Sequence, residues 1–430
     1  MSLASVRKRL RGVDLQVWLF LLALGFTGAQ SGVFHTTFNN FLADIYDISA
    51  GTRGILEFPR ELPGLLVTAF AGFLAFMPET RVGGVALLCG CIGFLGLAGV
   101  GQIGDQSLGW PLMIVFTFIW SIGNHLIMPV RESVGMSLAH ESRRGHKLGQ
   151  VRMVGQFGGI LGAAAVWITT AGTKTADAAG LNITGPAQPM GQTSLPPYWL
   201  TFSCGAVFAL VATVLLLRIR NIGVQTHRSR LIVRRRYWLY YVLSLLFGAR
   251  KQIFITFAPW VLVRIFGQPP ATFAKLWIAS SLFSLVFIPL VGNLVDRFGE
   301  RAVLIVDSMV ILLICVVYGF AYLWGTLGLW MTFACYVLDQ LLFAVTIARS
   351  TYMSKIAVTP DDIPASMSLG VTLDHAMGMS TPALGGLVWM VYGHQWVFVG
   401  AAGIALLMCL FASLIHIPER ADAPTPAGPA

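Results

Sequence analysis

The chain has 430 residues, of which 56% are apolar and only 11% charged, against roughly 25% charged in ordinary soluble domains. A soluble protein this apolar could not cover its own surface. The formal net charge is +10, but the Lys and Arg residues sit in short runs between apolar stretches, which marks membrane topology rather than a nucleic-acid patch.

Taken in chain order, the N-terminus opens on Arg7, Lys8, Arg9 and Arg11. An apolar run follows, and many more follow it, so it is read as an uncleaved first span rather than a leader. A span needs about 20 mostly apolar residues. Windows that qualify run over 15–43, 55–77, 82–103, 110–139, 149–170, 198–218, 237–265, 273–294, 302–324, 329–353, 366–391 and 396–417. None shows the short alternating segments of a barrel, and only helices satisfy their backbone groups within such stretches. The expectation is an all-α integral membrane protein with twelve transmembrane helices in two pseudo-symmetric halves of six. The halves are 1–218 and 237–420, joined by a basic cytoplasmic linker at 219–236, with a disordered cytoplasmic tail at 421–430.

Basic residues alternate between loops. One side carries the N-terminal cluster, Arg81, Arg143, Arg144, Lys147, Arg218, the linker arginines, Arg297, Arg301, Lys355 and Arg420; the other has little beyond Arg53, Lys174 and Lys275. Both termini are therefore expected in the cytoplasm, and the chain in a bacterial inner membrane. The long outer loop, 171–197, holds a glycosylation sequon at Asn182, given little weight here. The six cysteines all lie in apolar segments without metal-ligand spacing, and no metal or cofactor is expected.

Helices 4 and 10 superpose at a constant offset of 218 residues, so that Arg131 falls on Arg349 and Ala139 on Ala357. In the next spans, Gly158–Ala163 matches Thr381–Gly386 at a different offset. Two related halves with a solute site between them are the architecture of a rocking transporter.

The loop after the eighth window reads Gly292-Asn-Leu-Val-Asp296-Arg297-Phe-Gly299-Glu-Arg301. It resembles the Gly-x-x-x-Asp-Arg-x-Gly-x-Arg signature of the major facilitator superfamily, in its second-half position. The corresponding first-half loop is degraded, with Phe76 at the Asp position. The resemblance spans the whole chain. It implies secondary transport by alternating access, a cytoplasmic latch formed by Gly292, Asp296, Arg297, Gly299 and Arg301 with Arg131 and Arg349, and a cavity lined by helices 1, 4, 7 and 10. Gly292 is expected to let helices approach and Gly299 to permit the tight turn. Arg131 with Gly135 resembles a helix 4 pattern linked to proton coupling, and Thr381-Pro382-Ala-Leu-Gly385-Gly386 an antiporter pattern.

A charge at mid-membrane costs at least about 2.5–3.5 kcal/mol on insertion scales, so each needs a reason. The central group is Gln30, His125, Arg250, Lys251, Asp339, Gln340, Asp374 and His375. Arg250 and Lys251 are adjacent and about 100° apart on a helix, so they cannot share a face; one is expected in the cavity while the other pairs with Asp339 or Asp374. The cationic interior points to an anionic or zwitterionic metabolite, with protons as the coupling ion. Glu57 and Glu61 share a helical face, so either Arg60 bridges them or one binds a proton; the three are candidates for an outer gate or proton site, against a solvated helix start. In helix 5, Gly155 with Gly159 and Gly158 with Gly162 predict close helix packing.

No phosphate-binding loop is present, so the expected partners are a small-molecule substrate, protons and the lipid bilayer, without nucleic acid, and the chain is expected to act as a monomer. Multidrug efflux by proton antiport is the alternative within transport. A lipid-modifying membrane enzyme or a transport-inactive receptor is the alternative outside it. Catalytic residues are not expected.

Overall fold

A computed structural model describes residues 15–67, 74, 76–137, 144–171, 195–219, 233–359 and 362–417. The expected sequon at Asn182, most of the basic linker and the C-terminal tail lie outside the described residues. Among those described, secondary structure is helical and no strand is present. The helices are α1 (Leu15–Tyr46), α2 (Ala50–Ile55), α3 (Glu57–Leu65), α4 (Glu79–Val100), α5 (Gln106–Ser137), α6 (Arg144–Thr170), α7 (Tyr198–Leu217), α8 (Trp238–Arg264), α9 (Pro270–Phe320), α10 (Gly325–Leu342), α11 (Thr346–Ile356), α12 (Asp362–Tyr392) and α13 (His394–Ser413). Among the described residues, seven helical stretches are long and apolar enough to cross a membrane, the longest running over Pro270–Ile356. The chain is a multi-pass membrane protein.

Local chemistry sets the breaks. Ser49 caps α2 by accepting from the Thr52 amide at 3.2 Å. Pro59 has no N–H to give the Ile55 carbonyl, so α2 stops there and α3 restarts at Glu57. The described residues of the second window thus form one short helix, α3, with α2 immediately before it. Inside α9, Gly299 takes φ 79° and ψ 163°, a conformation an L side chain resists, so the helical path breaks there into two segments. The tenth window, expected as a single helix, is divided into α10 and α11 by a 3-10 turn at Phe343–Val345.

The expected latch residues differ in their surroundings. A Cβ at Gly292 would meet nothing within 4 Å, so no close helix approach depends on it. Asp296, Arg297 and Arg301 are exposed, whereas Glu300 is fully buried and bound to Lys355 at 2.6 Å. Arg297 lies over the Phe298 ring. The acid that ties this turn to α11 is Glu300, one the signature does not specify.

The first part of the chain packs α1 on α6 and α7, and α4 on α5 and α7; the second packs α9 on α10 and α13, and α8 on α12. The two parts meet where α6 and α1 face α9, and where α2 and α3 face α12. The second seam is built on glycine. A Cβ at Gly54 would lie 2.1 Å from the Pro382 carbonyl oxygen, and one at Gly386 would lie 2.6 Å from that of Ala50.

At one end of the bundle, Arg264 binds Asp47 at 2.7 Å and the Ile48 carbonyl at 2.7 Å, while Asn40 donates to the Gln268 carbonyl. Asp47 is 87% exposed. Exposed pairs contribute about 0–1 kcal/mol, so Asp47→Ala is expected to shift unfolding in detergent by less than about 1 kcal/mol. Arg264→Ala is expected to cost more, because it also loses the Ile48 carbonyl and the Trp260 ring 5.0 Å away. At the other end, Asp362 opens α12. Its carboxyl is held below the usual range by the Tyr237 hydroxyl at 2.6 Å, with Thr359 and Arg234 adding to it.

Candidate functional site

Two buried ionic clusters occupy the interior. The first straddles the seam between the two parts. Glu57, on α3, accepts from Arg53, from Arg60 Nε at 2.7 Å, and from Gln252 of α8. Arg53 Nε donates to Asn39 of α1 at 2.9 Å. Arg60 lies between the two carboxylates, also 2.8 Å from Glu61 Oε1. These groups are no solvated helix start: Glu57 is fully buried and Glu61 is 5% exposed.

Glu61 Oε2 accepts from His375 Nδ1, on α12, at 2.8 Å. His125 Nε2, on α5, stands 3.9 Å from the same oxygen. The two imidazoles are 5.0 Å apart, nearly perpendicular. Gly64, one turn beyond Glu61, makes room for both. A Cβ there would fall 2.6 Å from the His375 ring and 2.7 Å from that of His125. Lys251 and Asp374 close this side at 2.6 Å. His35, which α1 brings to the seam, stacks on Trp277 of α9 at 5.3 Å.

The second cluster lies within the second part. Arg250 is fully buried, its Nη2 2.8 Å from Asp339 Oδ1 on α10 and its guanidinium among the rings of Phe247, Phe254 and Phe343. The Nε and Nη1 of Arg250 have no hydrogen-bond partner. Asp307, on α9, is also buried, with Oδ1 unpartnered. Arg349 lies 4.0 Å over the Phe247 ring. Asp307 and Arg349 border a cavity of about 10 Å³ with Ser308 and Thr346, close to the volume that holds one water.

Of the expected central residues, His125, Lys251, Asp374 and His375 come together at the seam with Glu57, Arg60 and Glu61. Arg250 and Asp339 form the other cluster. Gln30 is buried against α4, where a Cβ at Gly90 would lie 3.5 Å from its Oε1. Gln340, half-buried, follows Asp339 on α10, and Arg131 is half-buried near the end of α5. Both cations of α8, Arg250 and Lys251, are ion-paired, so neither is left as a free cation. Three participants were not singled out from sequence: Arg53, Gln252 and Asp307. Gln252 is next to Lys251, and Asp307 is an acid inside an apolar window, so each carried a visible signal.

The second half of the chain, residues 240–430, matches the model of the Major Facilitator Superfamily. No curated relative matches the chain. Solved structures with the same fold include the nucleoside transporter NupG, at 14% identity and TM-score 0.69 over 93% of this chain and 98% of that one. A D-xylose–proton symporter matches at 15% identity and TM-score 0.66, over 92% and 97%. A bacterial homologue of the iron transporter ferroportin, in its inward-facing state, matches at 13% and 0.70, over 93% and 98%. The second half of the chain thus matches the Major Facilitator Superfamily model, and nearly its whole length shares the fold of these solved transporters.

Proposed function

We propose that the chain is a twelve-span secondary active transporter whose two six-span halves rock about their seam, exposing a small polar solute to alternate sides of a bacterial inner membrane. The supporting observation is the ionic cluster that both parts build together: Glu57 and Glu61 from the first reach Gln252 and His375 from the second. Buried charges this deep are costly and persist where they serve a solute or ion path. With both termini in the cytoplasm, the Asp47–Arg264 end faces outward, where that ion pair joins the two parts.

The solute reading follows from charge balance. Arg53, Arg60 and Lys251 are matched by Glu57, Glu61 and Asp374. A neutral, polar seam favours a zwitterionic or uncharged polar solute over a simple anion. It also weighs against amphipathic drug efflux, which needs a mostly apolar cavity. The fold neighbours described as nucleoside and D-xylose–proton transporters carry polar solutes.

The coupling ion in this reading is a proton carried by Asp339. Around it stand Arg250, Asp307, Cys315, Tyr318, Cys335 and Tyr336, with Arg349 beyond Asp307. Two carboxylates facing two guanidiniums balance to zero, so a proton on Asp339 releases Arg250 from its pair and leaves the cluster with a net charge of +1.

Uptake into proteoliposomes tests this, using a panel of amino acids, nucleosides and sugars. Accumulation is expected to collapse when a protonophore removes the gradient. Asp339→Asn is expected to keep solute exchange and lose accumulation, while Lys251→Ala lowers exchange by about tenfold or more. Accumulation that survives both the protonophore and Asp339→Asn would sink the proton reading; exchange untouched by Lys251→Ala would sink the seam as the solute path.

A further inference from the structure

We propose that Glu61, His125 and His375 form a binding site for one first-row divalent transition-metal ion, bridging the two parts of the bundle. The inference goes beyond the transport reading and does not depend on it. The three side chains come from α3, α5 and α12, and their ligand atoms lie within 4.8 Å of one another. A metal with bonds of about 2.0–2.2 Å to nitrogen and oxygen holds neighbouring ligand atoms about 3.3 Å apart. The present separations from Glu61 Oε2, 2.8 Å to His375 and 3.9 Å to His125, fall on either side of that spacing. Small side-chain movements would complete the site.

The hydrogen bonds set the lone pairs in the required direction. His125 Nδ1 is 2.9 Å from the Ser121 carbonyl oxygen. A carbonyl can only accept, so Nδ1 carries the hydrogen and Nε2 turns its lone pair toward Glu61. An imidazole whose far nitrogen donates to a backbone carbonyl is the usual second-shell arrangement of a metal-ligating histidine. A lone pair facing a carboxylate oxygen is repulsive unless a cation lies between them. Glu61 Oε1 is taken by Arg60, which leaves Oε2 directed at the two rings. Metal binding replaces the hydrogen on His375 Nδ1.

A fourth donor stands nearby. Gln252 is fully buried and its Oε1 has no hydrogen-bond partner. A Cβ at Gly378 would lie 3.4 Å from that oxygen and 3.4 Å from Glu61 Oε2, so both border one small space. Two imidazoles, one carboxylate and one amide oxygen suit zinc, manganese, iron(II) or cobalt(II) rather than calcium or copper(I). Local charge does not oppose entry: Arg53 and Arg60 balance Glu57 and Glu61, and Lys251 is bound to Asp374. Because Glu61 and His125 belong to the first part and His375 to the second, a bound ion holds the seam in this conformation.

The test is calorimetric titration of the full-length, tag-free, chelator-treated protein in detergent with Zn²⁺ and Mn²⁺. The expected result is one ion per chain. His125→Gln and His375→Gln should each weaken binding by roughly 10-fold or more, and His394→Gln, away from the seam, should leave it unchanged. Absence of binding at millimolar metal, or affinity unaltered in both seam variants, would overturn the proposal. Should either variant fail to fold, the visible spectrum of the Co²⁺-loaded wild-type protein decides. Intense bands of a four-coordinate nitrogen–oxygen site support the proposal, and the weak spectrum of six-oxygen cobalt refutes it. Neither readout involves solute movement, so a failure of the transport reading would leave it intact.

Discussion

Arg250→Ala is expected to lower the stability of the protein by about 3–5 kcal/mol, the cost of leaving a buried charge without its partner. Arg250 is fully buried and its guanidinium contacts Asp339 at 2.8 Å. Truncation leaves Asp339 and Asp307 in one apolar pocket with Arg349 as the remaining cation. The pair is not itself a large net source of stability. Two of the three guanidinium nitrogens have no hydrogen-bond partner, so the desolvation of Arg250 is only partly recovered. The double variant Arg250→Met with Asp339→Leu removes both charges, keeps the volume and leaves Asp307 with Arg349. It should regain most of the loss, an interaction energy readable from a double-mutant cycle of unfolding in detergent. A single-variant cost below about 1 kcal/mol would mean that Asp339 is already neutral or that water reaches it. The same measurement separates two roles of Arg250: a solute-binding arginine would change ligand-induced stabilisation, whereas a structural one changes the protein without ligand.

How much of this was legible in the sequence depends on the range of the interaction. Apolar windows, the tight turn at Gly299 and the glycine pairs of α6 are local patterns, repeating along one chain segment, and local sequence carries them. The pairing of Glu57 and Glu61 through Arg60 was legible for the same reason, since all three lie on one helical turn. The convergence of Glu61 with His125 and His375 was not. The hydrogen bond from His375 to Glu61 joins residues 314 apart, and no spacing rule within a helix relates them. Gly64 shows the same limit. It reads as a glycine after a proline, yet its role is set by two rings from α5 and α12. Asp307 was passed over because its window places it toward a helix end, where a charge can reach water; its burial comes from the packing of α8, α11 and α13 around it. The charge sign of the interior misled in the same way. Counting basic residues at mid-depth gives a cationic site, but each acquires an acidic partner only once helices distant in sequence are assembled.

The glycine seam between α1 and α6 supplies the other large effect. Gly158→Ala and Gly162→Ala should each destabilise the protein by about 1–3 kcal/mol or more. The added Cβ atoms would fall 1.8 Å from the Gly25 carbonyl oxygen and 1.9 Å from that of Ala29. Carbon and carbonyl oxygen approach to about 3.3 Å at closest, and the obstacle is backbone, which no rotamer change removes. The two helices must therefore part along their whole contact, with loss of the dispersion and Cα–H···O contacts that hold membrane helices together where no hydrophobic effect does. Because the first substitution already opens the seam, the second should add less than its single cost. Gly155→Ala is the internal control: a Cβ there meets nothing within 4 Å, and alanine is the better helix former, so that variant should unfold within about 0.5 kcal/mol of wild type. Equal losses at Gly155 and Gly158 in a thermal unfolding series would mean that glycine serves α6 through backbone flexibility. The expected order, with Gly158 and Gly162 costly and Gly155 neutral, assigns the first part's rigidity to close contact, which a half that rocks as one body requires.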